Sequence, residues 1–270
     1  MSRYETLLEL AYPWSPSRLL SCISCPCRGY LEITKSLPVE ARAPKHPAFR
    51  LGTQIHDFLH FLLLGLGSNG RTDVLLDFGD FSTEKWGAVP QQYLEKSYEF
   101  VTTTVPKMMQ EHGLTVAMSE LGMSLDANHR SMRAWDHNGK VLTGKADLIL
   151  ADNKGRMLII DHKTGEDSIY LTGESVRNQL LVYAYLAYYA SPVRLTEIAL
   201  MAHEVWTGAV HNLTDGNPFC DAGSILGEAT DLVDTLVTQA KESLKDITPT
   251  PGPSCRVCIA RLRCPVAEKE

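Results

Sequence analysis

The chain has 270 residues, 44% of them hydrophobic and 21% charged, which is enough apolar material for a packed core and excludes general disorder. With 26 Lys and Arg against 32 Asp and Glu the formal charge is −6, which excludes a uniformly basic nucleic-acid coat but allows a local basic groove around a metal. The length suits one α/β domain with appendages over residues 1–270.

Glu5 and Glu9 interrupt any signal-peptide pattern, and the longest apolar run, residues 180–190, is too short to cross a bilayer. The expectation is a soluble, cytoplasmic protein with no membrane contact. In that compartment its seven cysteines read as metal ligands or free thiols rather than disulfides.

Ser15 and Pro16 mark the start of a short helix over 15–23, with Ser15 as N-cap. Residues 36–47 hold three prolines and read as a loop. Apolar residues at helical spacing predict a helix over 49–64. Residues 65–90 are Gly- and Asp-rich and read as an irregular insertion, and 91–112 as a helix bent at Pro106. Strands are predicted over 115–125, 131–135, 141–151 and 156–162. A helix over 174–190 follows, then a hairpin of 197–206 and 209–213 turning near Thr207-Gly208. A long amphipathic helix covers 221–246, and a Pro- and Cys-rich tail runs over 249–270. This order gives a mixed-sheet α/β fold with no regular βαβ repeat.

The stretch richest in chemistry is the hairpin. Gly144-Lys145-Ala146-Asp147 enters an apolar strand, Asp152-Asn153-Lys154-Gly155 turns, and a second apolar strand ends in Asp161-His162-Lys163. With an odd loop, Asp147 lies opposite Asp161 and the two carboxylates share a face. With a four-residue loop they split across the sheet. The odd register is the expected one. Two carboxylates about 4 Å apart repel by roughly 4 kcal/mol at an effective dielectric of 20. A divalent cation removes that cost, and carboxylate oxygens suit Mg²⁺ or Mn²⁺. The bland alternative is a surface hairpin with solvated charges. Gln179 and Tyr183 share a helical stripe, though Tyr183 reads equally as a core aromatic. His56 offers an imidazole to the same ion, with His60 as competitor.

Gly52-x3-His56, Gly144-x2-Asp147, Asp161-x-Lys163 and Gln179-x3-Tyr183, in that order, resemble the RecB-type nucleases of the PD-(D/E)xK superfamily. The resemblance implies a restriction-endonuclease-like core, a mixed central sheet flanked by helices. It implies that His56, Asp147, Asp161 and the backbone carbonyl of His162 bind the metal. Lys163 would be the catalytic lysine, and Gln179 and Tyr183 the accessory motif. Glu120 falls where such families often carry an acid, although a lone strand Glu more often faces solvent.

The tail reads Cys255-x2-Cys258-x5-Cys264, three thiols in ten residues and one short of a four-thiolate site. Cys22, Cys25 and Cys27 are the nearby sources of a fourth, and Cys220 sits alone in a loop. The pattern resembles iron–sulfur RecB-type exonucleases, including CRISPR-associated ones and their phage relatives. That resemblance implies a [4Fe–4S] cluster on Cys25, Cys255, Cys258 and Cys264, joining residues 15–35 to 249–270 in one module. Zinc or free thiols are the alternatives.

The expected activity is a metal-dependent DNA exonuclease acting on single strands or DNA ends. Arg28, Lys145, Arg177 and Arg133 are candidates for guiding the phosphate backbone. The rival readings are a structure-specific endonuclease with the same site, and a non-catalytic subunit of recombination or CRISPR-adaptation machinery.

Overall fold

The structure is a computed structural model that describes residues 13–43, 47–66, 86–133, 136, 139–165, 173–214, 218–252, 255–256, 258–262 and 264–266. Most of the 65–90 insertion and the end of the 131–135 segment lie outside the described residues.

Two short helices, α1 (Pro16–Ser24) and α2 (Pro26–Thr34), open the fold. Then come α3 (Pro47–Gly65), α4 (Gln91–Glu99), one wide turn at Phe100–Thr104, and α5 (Val105–His112). The first strands are β1 (Thr115–Leu125), β2 (Leu142–Ala151) and β3 (Arg156–Lys163). They are followed by α6 (Glu174–Ala190), β4 (Glu197–Glu204), β5 (Ala209–Asn212), β6 (Cys220–Asp221) and α7 (Ala222–Ser243). The sheet order is β1-β2-β3-β4-β5, with β6 also on β4. Only β3 and β4 run parallel among these pairs, joined through α6. The result is a six-stranded mixed sheet flanked by helices, as expected of a restriction-endonuclease-like core.

Both faces of the central strands are covered, so those strands are almost continuously apolar. Ile149, Ile159 and Leu200 pack with α1, α6 and α7 on one side. Leu148, Leu150, Leu158 and Ile160 pack with α3, α4 and α5 on the other. Ser15 caps α1 by accepting from Arg18 N–H, and Asp221 caps α7 by accepting from Ser224 N–H. Among the described residues no helix is long and apolar enough to cross a membrane.

Several expectations need correction. The 91–112 helix is interrupted before Pro106, not at it: Val105 N–H reaches back to Phe100 O in a π-turn. Proline cannot donate, and its ring crowds the carbonyl four residues earlier, so the wider turn absorbs it. Residues 131–133 form no strand; Ser131 makes a single bridge to Leu125. Asp126 instead folds this stretch by accepting from Asn128 N–H and Arg130 N–H. Cys220 is not in a loop but in β6, paired with Ile198. α2 is a further helix that the sequence does not announce, because the Cys-Pro-Cys-Arg-Gly stretch at its start has the chemistry of a turn. The 36–47 loop contains one turn of 3₁₀ helix, Val39–Ala41, and its last proline opens α3.

Candidate active site

Asp152 builds the β2–β3 turn by accepting from the backbone of Lys154 and Arg156 and from the Arg156 guanidinium. Gly155 has φ 94, and a Cβ there would lie 2.3 Å from Arg194 O, so the turn requires glycine. Ala151 pairs with Met157, which is the odd register. Pairing between β2 and β3 runs only from Ala151↔Met157 to Leu148↔Ile160. One step further, Asp147 and Asp161 face each other where the strands part. There His162 N–H bonds the Asp147 carboxylate at 2.7 Å instead of a strand carbonyl. Both acids are deeply buried, 6% and 2% exposed.

Three elements converge on this notch. From α3, His56 Nδ1 lies 3.3 Å from Asp147 and 3.4 Å from Glu120. Gly52 lets α3 approach the end of β3, since a Cβ there would sit 3.1 Å from Thr164 Oγ1. From β1 comes Glu120, at φ 53, between the pairs Ser119↔Leu148 and Leu121↔Ala146. That left-handed residue turns Glu120 inward against His56 and Lys145, so it does not face solvent. From α6, Gln179 accepts from Lys163 Nζ at 2.8 Å and donates to Tyr183 Oη at 2.7 Å. Gly144 makes room for α6: a Cβ would lie 2.5 Å from Leu186 and 3.1 Å from the Tyr183 ring.

The electrostatics follow from burial and proximity. Desolvation, with the Asp147 charge beside it, pushes Asp161 up to about 6 despite Lys163 Nζ at 2.6 Å. Burial works against a charged His56, but Asp147 and Glu120 outweigh it and push the imidazole up to about 10. Desolvation holds Tyr183 protonated well above its usual range. Without an ion the three carboxylates Glu120, Asp147 and Asp161 are matched by His56, Lys145 and Lys163, so an ion that takes the carboxylates would displace the proton from His56.

The donor atoms of His56, Glu120 and Asp147 lie within 4.8 Å of one another, the spacing one small ion needs. Hard oxygen donors with one imidazole suit Mg²⁺ or Mn²⁺. Asp161 stands next to this triplet with its carboxylate turned to Lys163. The His162 side chain points away, Nδ1 3.0 Å from His203 Nδ1 and edge-on to Phe100, and burial keeps it neutral. Any part of His162 in holding an ion falls to its backbone. His60 is engaged elsewhere, with Ser119 Oγ at 2.9 Å.

The expected backbone-guiding cations divide. Lys145 pairs with Glu120 at the site and lines the groove. Arg177 pairs with Glu228 of α7 and donates to Leu213 O, and Arg28 pairs with Glu32 at 2.7 Å; neither is among the residues that line the groove. Arg133 lies in the exposed stretch after β1.

At the far end of α1, Cys25, Cys255, Cys258 and Cys264 line one small cavity together with Arg28. Ala43 N–H bonds Ile259 O at 2.8 Å, tying the tail to the N-terminal part of the chain. Cys22 is fully buried, packed where Gly29 lets α2 come close, and burial pushes its thiol up to about 12. That leaves Cys22 out of the cavity. Cys27 is near it, its thiol raised by burial and by Cys25, Cys264 and Cys258. Among the described residues, no three cysteine sulfurs come within 4.8 Å of one another.

The family model described as the PD-(D/E)XK nuclease superfamily matches residues 13–265. No curated protein matches the chain. Among solved structures, the crystal structure of SSO0001 aligns over 97% of this chain and 93% of that one, at 14% identity and a TM-score of 0.39.

Proposed function

The chain belongs to the PD-(D/E)XK nuclease superfamily, and we propose that it is a metal-dependent deoxyribonuclease, an exonuclease acting on single-stranded DNA or DNA ends. The observation that carries the hydrolytic reading is the meeting of His56, Glu120 and Asp147 within 4.8 Å, beside Asp161 and a lysine held by an ion pair to Asp161 and a hydrogen bond to Gln179. His56, Glu120, Asp147 and Asp161 would hold Mg²⁺ or Mn²⁺, which when bound supplies Lewis acidity toward a phosphoryl oxygen. Lys163 is the group that acts on the attacking water and the charge developing at phosphorus. Asp161 at 2.6 Å and Gln179 at 2.8 Å fix its ammonium, so no reorganisation is needed at the moment of reaction. Tyr183 orients Gln179 and remains a phenol.

The exonuclease assignment rests on the ordered motifs and the cysteine spacing, which resemble those of iron–sulfur RecB-type exonucleases. A [4Fe–4S] cluster on Cys25, Cys255, Cys258 and Cys264 is supported by their shared cavity. Zinc on the same thiolates is the alternative, and iron and sulfide content distinguishes the two.

The test is cleavage of end-labelled linear and circular single strands with Mg²⁺ or Mn²⁺. Mononucleotide release from linear strands alone is expected, and Lys163→Ala should lower the rate by at least about 100-fold. Cutting of circles would overturn the exonuclease assignment. Absence of cleavage with either ion would overturn the nuclease reading and favour a non-catalytic subunit.

A further inference from the structure

The notch opens into a groove of about 980 Å³ that continues well beyond the proposed metal ligands. One wall is α3, which presents Phe49, Gly52, Thr53 and His56 along successive turns. The lining elsewhere includes Ser15 and Ser17 at the start of α1, and Lys140. α1 is fixed there because Trp14 bonds the start of β2 through Val141 O and Thr143 N–H, both at 2.7 Å. The hydroxyl and ammonium groups of this lining suit a phosphate backbone, and apolar side chains, Pro16, Leu20, Ala48 and Met123, also line the groove. Phe49 is the large apolar side chain of this lining that stands exposed. It is a large apolar ring, 48% exposed, and among the described residues no other ring packs against it.

Phe49 precedes His56 by seven positions, two helical turns, or about 10.5 Å along the axis. That is about three nucleotides of a stacked strand at roughly 3.4 Å each, and fewer of an unstacked one. A strand that leaves the notch along α3, with its scissile phosphate at the notch, brings a base to this ring. We propose that Phe49 stacks on an unpaired nucleobase within three nucleotides of the scissile phosphate, and so selects single-stranded over duplex DNA. The inference deepens the nuclease reading and rests on it. Every base has a π-face, so the contact tolerates any sequence. In a duplex those faces are covered by neighbouring pairs, and the ring gains nothing until the end frays.

The test is a double-mutant cycle on binding by the full chain, read by fluorescence anisotropy with Ca²⁺ in place of Mg²⁺. The probes are a labelled single strand and copies carrying one abasic site, walked across the positions flanking the scissile bond. Phe49→Ala should weaken binding to the intact strand about tenfold, the scale of one base–aromatic stack. One abasic position should cost the wild type the same factor and cost Phe49→Ala nothing. Phe49→Trp should restore both affinity and abasic sensitivity. Duplex affinity should be equal in all three proteins. The inference is overturned if the abasic penalty survives in Phe49→Ala, if that variant binds as the wild type does, or if the wild type does not bind single strands. Binding that follows the cycle without any cleavage in Mg²⁺ or Mn²⁺ would leave the stacking contact standing and overturn the nuclease reading instead.

Discussion

Glu120 shows how much one residue's backbone decides. An L-residue at φ 53 costs on the order of 1–2 kcal/mol over its relaxed conformation, and such strain persists where the surroundings over-determine it. Here His56 and Lys145 hold the carboxylate on the ion side of β1. Removing it leaves the triplet one hard donor short. Glu120→Ala is therefore expected to weaken Mn²⁺ binding by about 10–100-fold, on the scale of a lost metal partner. Titration calorimetry with MnCl₂ measures this, and an unchanged affinity would take Glu120 out of the ligand set. The strand period alone could not have revealed its role. Alternation predicts which face a side chain takes only while φ stays in the extended region, and nothing in Met-Ser-Glu-Leu-Gly announces the left-handed turn.

At the scale of elements, the site exists because β2 and β3 part and α6 fills the gap. Gly144 is the point of contact. An added methyl there would meet Leu186 at 2.5 Å and the Tyr183 ring at 3.1 Å, so α6 must shift or the side chains leave their rotamers. Gly144→Ala should cost about 1–3 kcal/mol, seen as a fall of several degrees in Tm. It should also reduce turnover by displacing the Tyr183–Gln179–Lys163 chain. Gly122→Ala on the neighbouring strand meets nothing within 4 Å and serves as the control, with Tm expected unchanged. The long periodic elements were legible: the strand over 115–125, the helix over 174–190 and the turn at Gly155 all fall where the pattern predicts. So did the register, because only the odd loop keeps two-sided apolar strands in phase with both acids at the opening. What escaped was local and tertiary. α2 begins in turn-like chemistry, the π-turn answers a proline by packing Phe100 flat on His203 at 3.7 Å, and Arg177 is committed by a glutamate on α7 that is 51 residues away.

At the scale of the whole molecule, the cysteine cavity and the catalytic groove are joined by α1. Its last turn leads to Cys25, and its first turn presents Ser15 and Ser17 to the groove. The proposed cluster, bridging Cys25 to Cys255, would close a loop of about 230 residues. By the loop-entropy relation for a covalent cross-link, such a closure is worth up to about 5 kcal/mol. Losing it should be felt at both ends of α1. If the wild type carries the proposed cluster, Cys258→Ala is expected to lack the visible absorption near 400 nm and the iron and sulfide that the wild type shows, and to lower Tm by roughly ten degrees. It should also raise KM for single strands more than it lowers kcat, since the wall carrying Ser15 and Ser17 loosens while the β2–β3 notch stays built. Cys220→Ala, in β6 and remote from the cavity, should retain the spectrum and the KM. If Cys258→Ala lost iron but kept its Tm and KM, the cluster would not be bracing the groove, and the link through α1 would fail while the catalytic notch stood unaffected.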